Sequence, residues 1–137
     1  MSDNIFIDTN LWVYLYSKEP QIKYVKVQEI IANNFDSIII STQVLGELFH
    51  VLNRKRLVQS DEAQQIILEL VSNFSIDEID TLKVLQALDI NAKYGYSYWD
   101  SLIIATALLT DCITIYSEDM QHQQLIEQKI RIVNPFL

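Results

Sequence analysis

The segment Ile5-Phe6-Ile7-Asp8-Thr9-Asn10 carries the clearest fold signal in this sequence, because three apolar residues are followed at once by three polar ones. A short apolar run without alternation is typical of a strand that is buried on both faces. The polar residues mark a turn, and a helical pattern begins at Leu11. The segment therefore predicts a central strand that ends at Asp8 and leads into a helix.

The rest of the chain alternates between strand and helix patterns. Further strands are predicted over Ile38-Ile39-Ile40, Cys112 to Tyr116 and Ile130 to Val133. Helices are predicted over 11–16, 22–33, 81–93 and 98–109, with two more that begin near residues 42 and 60. This order predicts a single α/β domain over residues 1–137, with a mostly parallel central sheet of about four to five strands flanked by helices.

Composition limits the class of protein. The chain has 137 residues, half of them apolar, which suits one domain with a true core. Its longest apolar run is far shorter than the roughly 20 residues that cross a bilayer, so no contact with a membrane is expected. The acidic N-terminus lacks an apolar signal region, and the single cysteine, Cys112, cannot form an internal disulfide. A cytoplasmic location is expected.

The formal net charge of −8 excludes a broad basic footprint for nucleic acid. Two glycines are too few for a phosphate-binding loop or a dinucleotide fingerprint. Most of the acids are expected to be solvated surface groups. Carboxylates that converge in space would instead bind a divalent cation, which supplies the positive charge that phosphates seek.

Three aspartates lie in or directly after segments that are predicted to be buried, where a charged side chain is unexpected. Asp8 and Asp119 follow predicted buried strands, and ligands of open parallel sheets bind beyond the carboxyl ends of the strands. Asp100 lies on the apolar side of a helix that is apolar nearly all round, where an unpaired carboxylate is costly to bury. The alternative for Asp8 and Asp100 is a helix cap or a first-turn acid favoured by the helix dipole.

Several other residues, taken alone, are typical of solvent-exposed surface or of ordinary packing. Glu47 belongs to a polar helical stripe with Gln43 and His50, which by itself predicts a solvent face. Glu118 is expected to be solvated beside Asp119. The run Arg54-Lys55-Arg56 is either a solvated helix end or a local phosphate contact. The aromatic cluster over 94–99 is expected to pack in the core or at its rim, and base stacking is the weaker alternative.

Taken together, the chain resembles the PIN-domain family, in particular the small ribonucleases of the VapC toxin class. Four segments carry the resemblance in this order: 6–10, 41–48, 98–105 and 117–120. The resemblance implies that four acids converge as catalytic residues and metal ligands at the carboxyl edge of the sheet, namely Asp8, Glu47, Asp100 and Asp119. Glu118 is the local alternative to Asp119. The resemblance also implies supporting polar contacts from Thr9, Asn10 and Ser117.

The implied activity is hydrolysis of RNA phosphodiester bonds with Mg²⁺ or Mn²⁺, by in-line attack of a water that the cation activates. The resemblance also implies an antitoxin protein as partner and a homodimer. A non-catalytic module whose acids make a cation-dependent surface for a protein partner is the alternative. A phosphatase with an aspartyl nucleophile ranks low, because it needs an Asp two residues after the first, and position 10 is Asn.

Overall fold

The computed structural model describes residues 3–137 and contains a six-stranded sheet flanked by helices. The strands are β1 (Asn4–Ile7), β2 (Ile38–Ser41), β3 (Ser75–Asp77), β4 (Cys112–Tyr116), β5 (Leu125–Ile126) and β6 (Ile130–Val133). The helices are α1 (Thr9–Ser17), α2 (Gln21–Asn34), α3 (Thr42–Arg54), α4 (Ser60–Asn73), α5 (Thr81–Tyr94) and α6 (Tyr98–Leu109), with a short 3₁₀ turn over Phe35–Ser37.

The strand order is β3-β2-β1-β4-β6-β5, so β1 lies inside the sheet between β2 and β4. All neighbouring pairs are parallel except β5 with β6. The predicted α/β class with a mostly parallel sheet is therefore confirmed. The sheet has six strands rather than four or five, because the short edge strands β3 and β5 are added to the four predicted ones.

The register between β1 and β4 brings their carboxyl ends together. Ile7 pairs with Tyr116, and the next backbone N–H, that of Asp8, donates to the Tyr116 carbonyl at 2.9 Å. Consequently Asp8 and Ser117, the first residues after these two strands, are neighbours. This edge is where open parallel sheets bind their ligands.

Side-chain caps fix the starts of the helices at the same edge. Asp8 caps α1 by accepting from the Thr9 backbone N–H, and Ser41 caps α3 by accepting from that of Val44. Ser97 caps α6 by accepting from the Asp100 N–H at 3.1 Å, so Asp100 stands in the first turn of that helix. Both proposed roles of Asp8, the cap and the strand-end carboxylate, are thus realised in one side chain.

Helix α6 is central, as predicted. Its seven consecutive residues from Ser101 to Ala107 are all buried, which matches a helix that is apolar on nearly every side. The main core of the sheet and helices includes the fully buried side chains of Phe6, Trp12, Ile40 and Ile115. None of the helices within residues 3–137 combines the length and the hydropathy that a bilayer crossing requires.

Two helices leave large apolar side chains exposed. In α4, Ala63 and Leu70 are buried, but Val71 is 49% exposed, because the helix turns that side away from the core. In α5, Leu85 and Leu88 are exposed, and the buried positions include Lys83 instead. The ammonium group of Lys83 is paired with Asp77 at 2.8 Å, which compensates its burial.

Candidate active site

Four acids from distant parts of the chain line one cavity of about 480 Å³ at the carboxyl edge of the sheet. They are Asp8 after β1, Glu47 in α3, Asp100 in the first turn of α6 and Asp119 after β4. The cavity is also lined by Thr9 and Asn10, by His50 of α3, and by Lys55, which directly follows α3. The structure therefore brings all four predicted acids to one concave surface.

Asp8 is the most buried of the four, with 6% of its surface exposed. One carboxylate oxygen accepts from the Thr9 N–H at 2.7 Å, and the other accepts from the Ser117 hydroxyl at 2.8 Å. Burial raises the pKa of Asp8 to about 7, and these two hydrogen bonds oppose that rise. The nearby charges of Asp100 and Glu47 add to the rise. A strongly raised pKa of a buried carboxyl group in a cavity is typical of functional sites.

Glu47 is held by the residue that follows Asp8. The Thr9 hydroxyl donates to Glu47 Oε1 at 2.7 Å, and the Gln43 amide donates to Glu47 Oε2 at 3.4 Å. The interpretation of Glu47 as part of a mere solvent face is wrong, because its carboxylate is tied to the N-terminus of α1. Gln43 also donates to the Trp99 carbonyl at 3.1 Å, which links α3 to α6.

The other two acids, Asp100 and Asp119, line the same cavity. Asn10 donates to Asp119 Oδ2 at 2.9 Å and thereby fixes that carboxylate beside α1. Burial raises the pKa of Asp100, and the charges of Asp119 and Glu47 raise it further. The charges of Asp119 and Glu47 thus contribute to a negative electrostatic potential at Asp100.

Ser117 organises the turn after β4. Its fully buried hydroxyl donates to Asp8 and accepts from the backbone N–H groups of Asp119 and Met120, at 3.2 and 3.3 Å. One side chain therefore orients the Asp8 carboxylate and shapes the loop that presents Asp119. Thr9, Asn10 and Ser117, for which supporting polar contacts were predicted, donate hydrogen bonds to Glu47, Asp119 and Asp8, respectively.

Glu118 was expected to be solvated, and this is wrong. Its carboxylate forms an ion pair with Lys23 of α2 and accepts from the Tyr14 hydroxyl at 2.5 Å. The ammonium group of Lys23 also lies over the ring of Tyr14. Glu118 thus joins α2 to the end of β4 and does not line the acid cavity.

The donor set suits a hard divalent cation. It consists of carboxylate oxygens and one amide oxygen, Asn10 Oδ1, which is buried without a hydrogen-bond donor. Within residues 3–137, however, no group of three or more His, Cys, Asp or Glu side chains is arranged so that it could hold a metal ion as it stands. Three of the acids are instead hydrogen-bonded to neighbouring side chains: Asp8 to Ser117, Glu47 to Thr9 and Asp119 to Asn10.

The role of Gln43 was missed by reasoning from the sequence. It stands four residues before Glu47, so the two side chains share a helical face, and this spacing was the available signal. What the sequence does not reveal is that the amide also reaches across to the backbone of α6.

A model of the PIN domain family matches residues 5–127 of the chain. A search of curated proteins finds no match. Among solved structures, a toxin–antitoxin complex from Klebsiella pneumoniae aligns with a TM-score of 0.74 at 17% identity, over 96% of this chain and 98% of that one.

Two further structures have the same fold. The Mycobacterium tuberculosis toxin VapC20, described as cleaving the sarcin-ricin loop, aligns with a TM-score of 0.68 at 22% identity, over 85% of this chain and 90% of that one. VapBC2 from Rickettsia felis, bound to a promoter DNA fragment, aligns with a TM-score of 0.68 at 20% identity, over 93% of this chain and 96% of that one. With nearly its whole length matched by the family model, this chain belongs to the PIN domain family.

Proposed function

We propose that this chain is a cytoplasmic endoribonuclease that depends on Mg²⁺ or Mn²⁺ and acts as the toxin of a toxin–antitoxin pair. The observation that carries the proposal is the common cavity of Asp8, Glu47, Asp100 and Asp119, four acids that are far apart in sequence. Membership of the PIN domain family and the likeness in fold to VapC toxins support the same function.

The four carboxylates would hold the cation or cations together. A bound divalent cation polarises the scissile phosphate and makes a water easier to deprotonate. Asp8, Asp100 and Asp119 are proposed as ligands, while Glu47 ligates or orients the attacking water. Thr9 and Asn10 keep Glu47 and Asp119 in place through their hydrogen bonds of 2.7 and 2.9 Å.

The substrate must approach an acidic protein, so its phosphates need local positive charge. Lys55 is the only lysine or arginine among the described residues that line the acid cavity. It follows the last turn of α3, in the basic run noted in the sequence. We assign Lys55 to a phosphate that flanks the scissile one, and the cation to the scissile phosphate itself.

The antitoxin partner is proposed from the structures that share this fold, several of which are toxin–antitoxin complexes. A basic side chain in the antitoxin tail would enter the acid cavity and compete with the cation for the same carboxylates. Homodimerisation of the chain is part of the same proposal.

The test is cleavage of RNA by the purified chain with Mg²⁺ or Mn²⁺, compared among Asp8→Asn, Asp100→Asn and the control Asp89→Asn. Asp89 is exposed on α5, so the control removes the same charge outside the cavity. We expect the two cavity variants to lose at least about 100-fold in rate, the scale of losing a preorganised electrostatic contact. Equal rates in all four proteins would identify a contaminating nuclease and refute the proposal, leaving a non-catalytic binding module.

A further inference from the structure

A second cavity, of about 540 Å³, adjoins the acid cavity, and Glu47 lines both. Its other walls include Gly46 of α3, Ile79 before α5, and Trp99 and Leu102 of α6. The acids that would act on a phosphate thus stand next to a mainly apolar recess of the size that binds small organic groups.

Trp99 lines this recess with a large aromatic ring that is exposed to solvent. It is 61% exposed, although an indole ring is among the side chains that gain most from burial. Its ring is braced by an edge-to-face contact with Tyr98, with 5.0 Å between ring centroids, and its backbone carbonyl accepts from Gln43. An exposed but fixed aromatic ring is a surface ready for stacking.

Gly46 also lines this recess and keeps it open. Glycine in the interior of a helix costs stability relative to alanine. A Cβ at this position would meet no atom within 4 Å, so packing within the chain does not require the glycine. Its effect is to leave the recess open beside Glu47.

We propose that the recess binds an unpaired nucleobase of the RNA, stacked on Trp99, next to the phosphate that is cleaved. The inference rests on the proposed nuclease function and deepens it by assigning Trp99 as the residue that takes up a base that has left its stack. Because every base can stack on an aromatic ring, Trp99 would contribute binding affinity and position the RNA strand without selecting its sequence.

The geometry of α3 agrees with such a strand. Gln43 and Glu47 lie one turn apart in α3, and Lys55 directly follows the last turn of that helix. Glu47 and Lys55 both line the acid cavity. The rise from Glu47 to Lys55 is about 12 Å. A short RNA segment along α3 would therefore place a base at Trp99, a phosphate at the acids and a neighbouring phosphate at Lys55.

The experiment uses tryptophan fluorescence and RNA affinity. The two tryptophans of the chain are Trp99 and Trp12, and Trp12 is 1% exposed, so a nucleobase can quench only Trp99 by stacking. Short oligo-adenylate, oligo-cytidylate and oligo-uridylate are titrated into the protein with Mg²⁺, alongside an abasic oligonucleotide of equal length. We expect saturable quenching by the three RNAs and none by the abasic strand. An unchanged signal on RNA binding would overturn the inference.

Labelled-RNA anisotropy then compares four variants. Trp99→Ala is expected to weaken binding roughly 5- to 150-fold, whereas Trp99→Phe keeps most of the affinity. Gly46→Leu should weaken binding while the protein keeps its melting temperature, because the new side chain fills the recess and not the core. The control Leu68→Ala, which truncates an exposed apolar residue of α4, should have no effect.

The results separate this inference from the nuclease proposal. If wild type cleaves RNA but Trp99→Ala binds it as well as Leu68→Ala does, the base site is refuted and the nuclease stands. If binding depends on Trp99 but no cleavage occurs with any cation, the base site stands and the nuclease is refuted. If Trp99→Ala alters only self-association or antitoxin binding, the surface is a protein interface and the base site is refuted.

Discussion

The hydroxyl of Thr9 donates a hydrogen bond of 2.7 Å to Glu47, and so connects the residue after Asp8 with an acid 38 positions later. Thr9 is the first residue of α1, and Glu47 lies inside α3. Their contact explains why Glu47 faces the cavity although its helical stripe is otherwise polar.

Thr9→Val should therefore impair activity more than folding. Valine keeps the shape of threonine but leaves Glu47 Oε1 without its donor. We expect the RNA cleavage rate to fall about 10-fold or more, as for other groups that orient ligands, and the free energy of unfolding to change by about 1 kcal/mol. Thr9→Ser is the matched control, since it restores the hydroxyl. Equal cleavage rates in Thr9→Val and wild type would mean that the contact does not position Glu47.

Ser117→Ala tests the turn that supports Asp8 and Asp119. Removing the hydroxyl strips Asp8 of a hydrogen bond that lowers its pKa, so this pKa should rise further. If ionised Asp8 is needed, the acid limb of the pH–rate profile shifts to higher pH. The buried N–H of Met120 and the partly buried N–H of Asp119 also lose their acceptor, at a cost of about 1–3 kcal/mol. Ser72→Ala, on the exposed side of α4, should change neither property; a pH profile that stays in place would contradict the argument.

The stability of the cation-free protein should fall as the pH rises from about 4 to about 7. In this range the folded chain keeps a proton on Asp8, whose pKa is raised from 3.8 to about 7, while the unfolded chain has released it. The contribution is complete below pH 4 and is lost by pH 7, with an upper bound of about 4 kcal/mol. Asp8→Asn should flatten this part of the curve, as measured by urea denaturation in a chelator. A wild-type slope that is unchanged by the substitution would assign the effect to other groups.

The neighbouring acids Glu118 and Asp119 should behave differently. Asp119→Asn is expected to reduce RNA cleavage, because Asp119 lines the acid cavity. Glu118→Gln should leave the cleavage rate near that of wild type and lower the melting temperature slightly, because Glu118 pairs with Lys23. Cleavage assays and thermal denaturation of both variants check this. The reverse order of cleavage rates would identify Glu118 as the functional acid.

Several features were predictable because they follow from local patterns. The runs Ile5-Phe6-Ile7 and Ile38-Ile39-Ile40 are apolar without alternation, and Asp8 follows the first of them directly. The sequence also places Asp119 after a strand and Asp100 on a central helix. These positions are set by chain order and by helical spacing, both of which can be read without coordinates.

Other features depend on tertiary contacts and leave no local signal. Strands β3 and β5 have three and two residues and form only at the edges of a sheet that already exists. The contact of Glu118 with Lys23 joins residues 95 positions apart, and the burial of Lys83 depends on Asp77 in β3. The cavity shared by the four acids likewise arises from strand order, which periodicity does not give.

The most direct test of the central claim is calorimetric titration of Mn²⁺ into the cation-free protein, with wild type, Asp100→Asn and the exposed control Asp89→Asn. The account predicts saturable binding to wild type and to Asp89→Asn, and binding to Asp100→Asn that is weakened at least about 10-fold, the lower scale of losses at metal-site residues. Folded wild-type protein that takes up no Mn²⁺, or an Asp100→Asn variant that binds it as wild type does, would contradict the claim that these acids form one cation site.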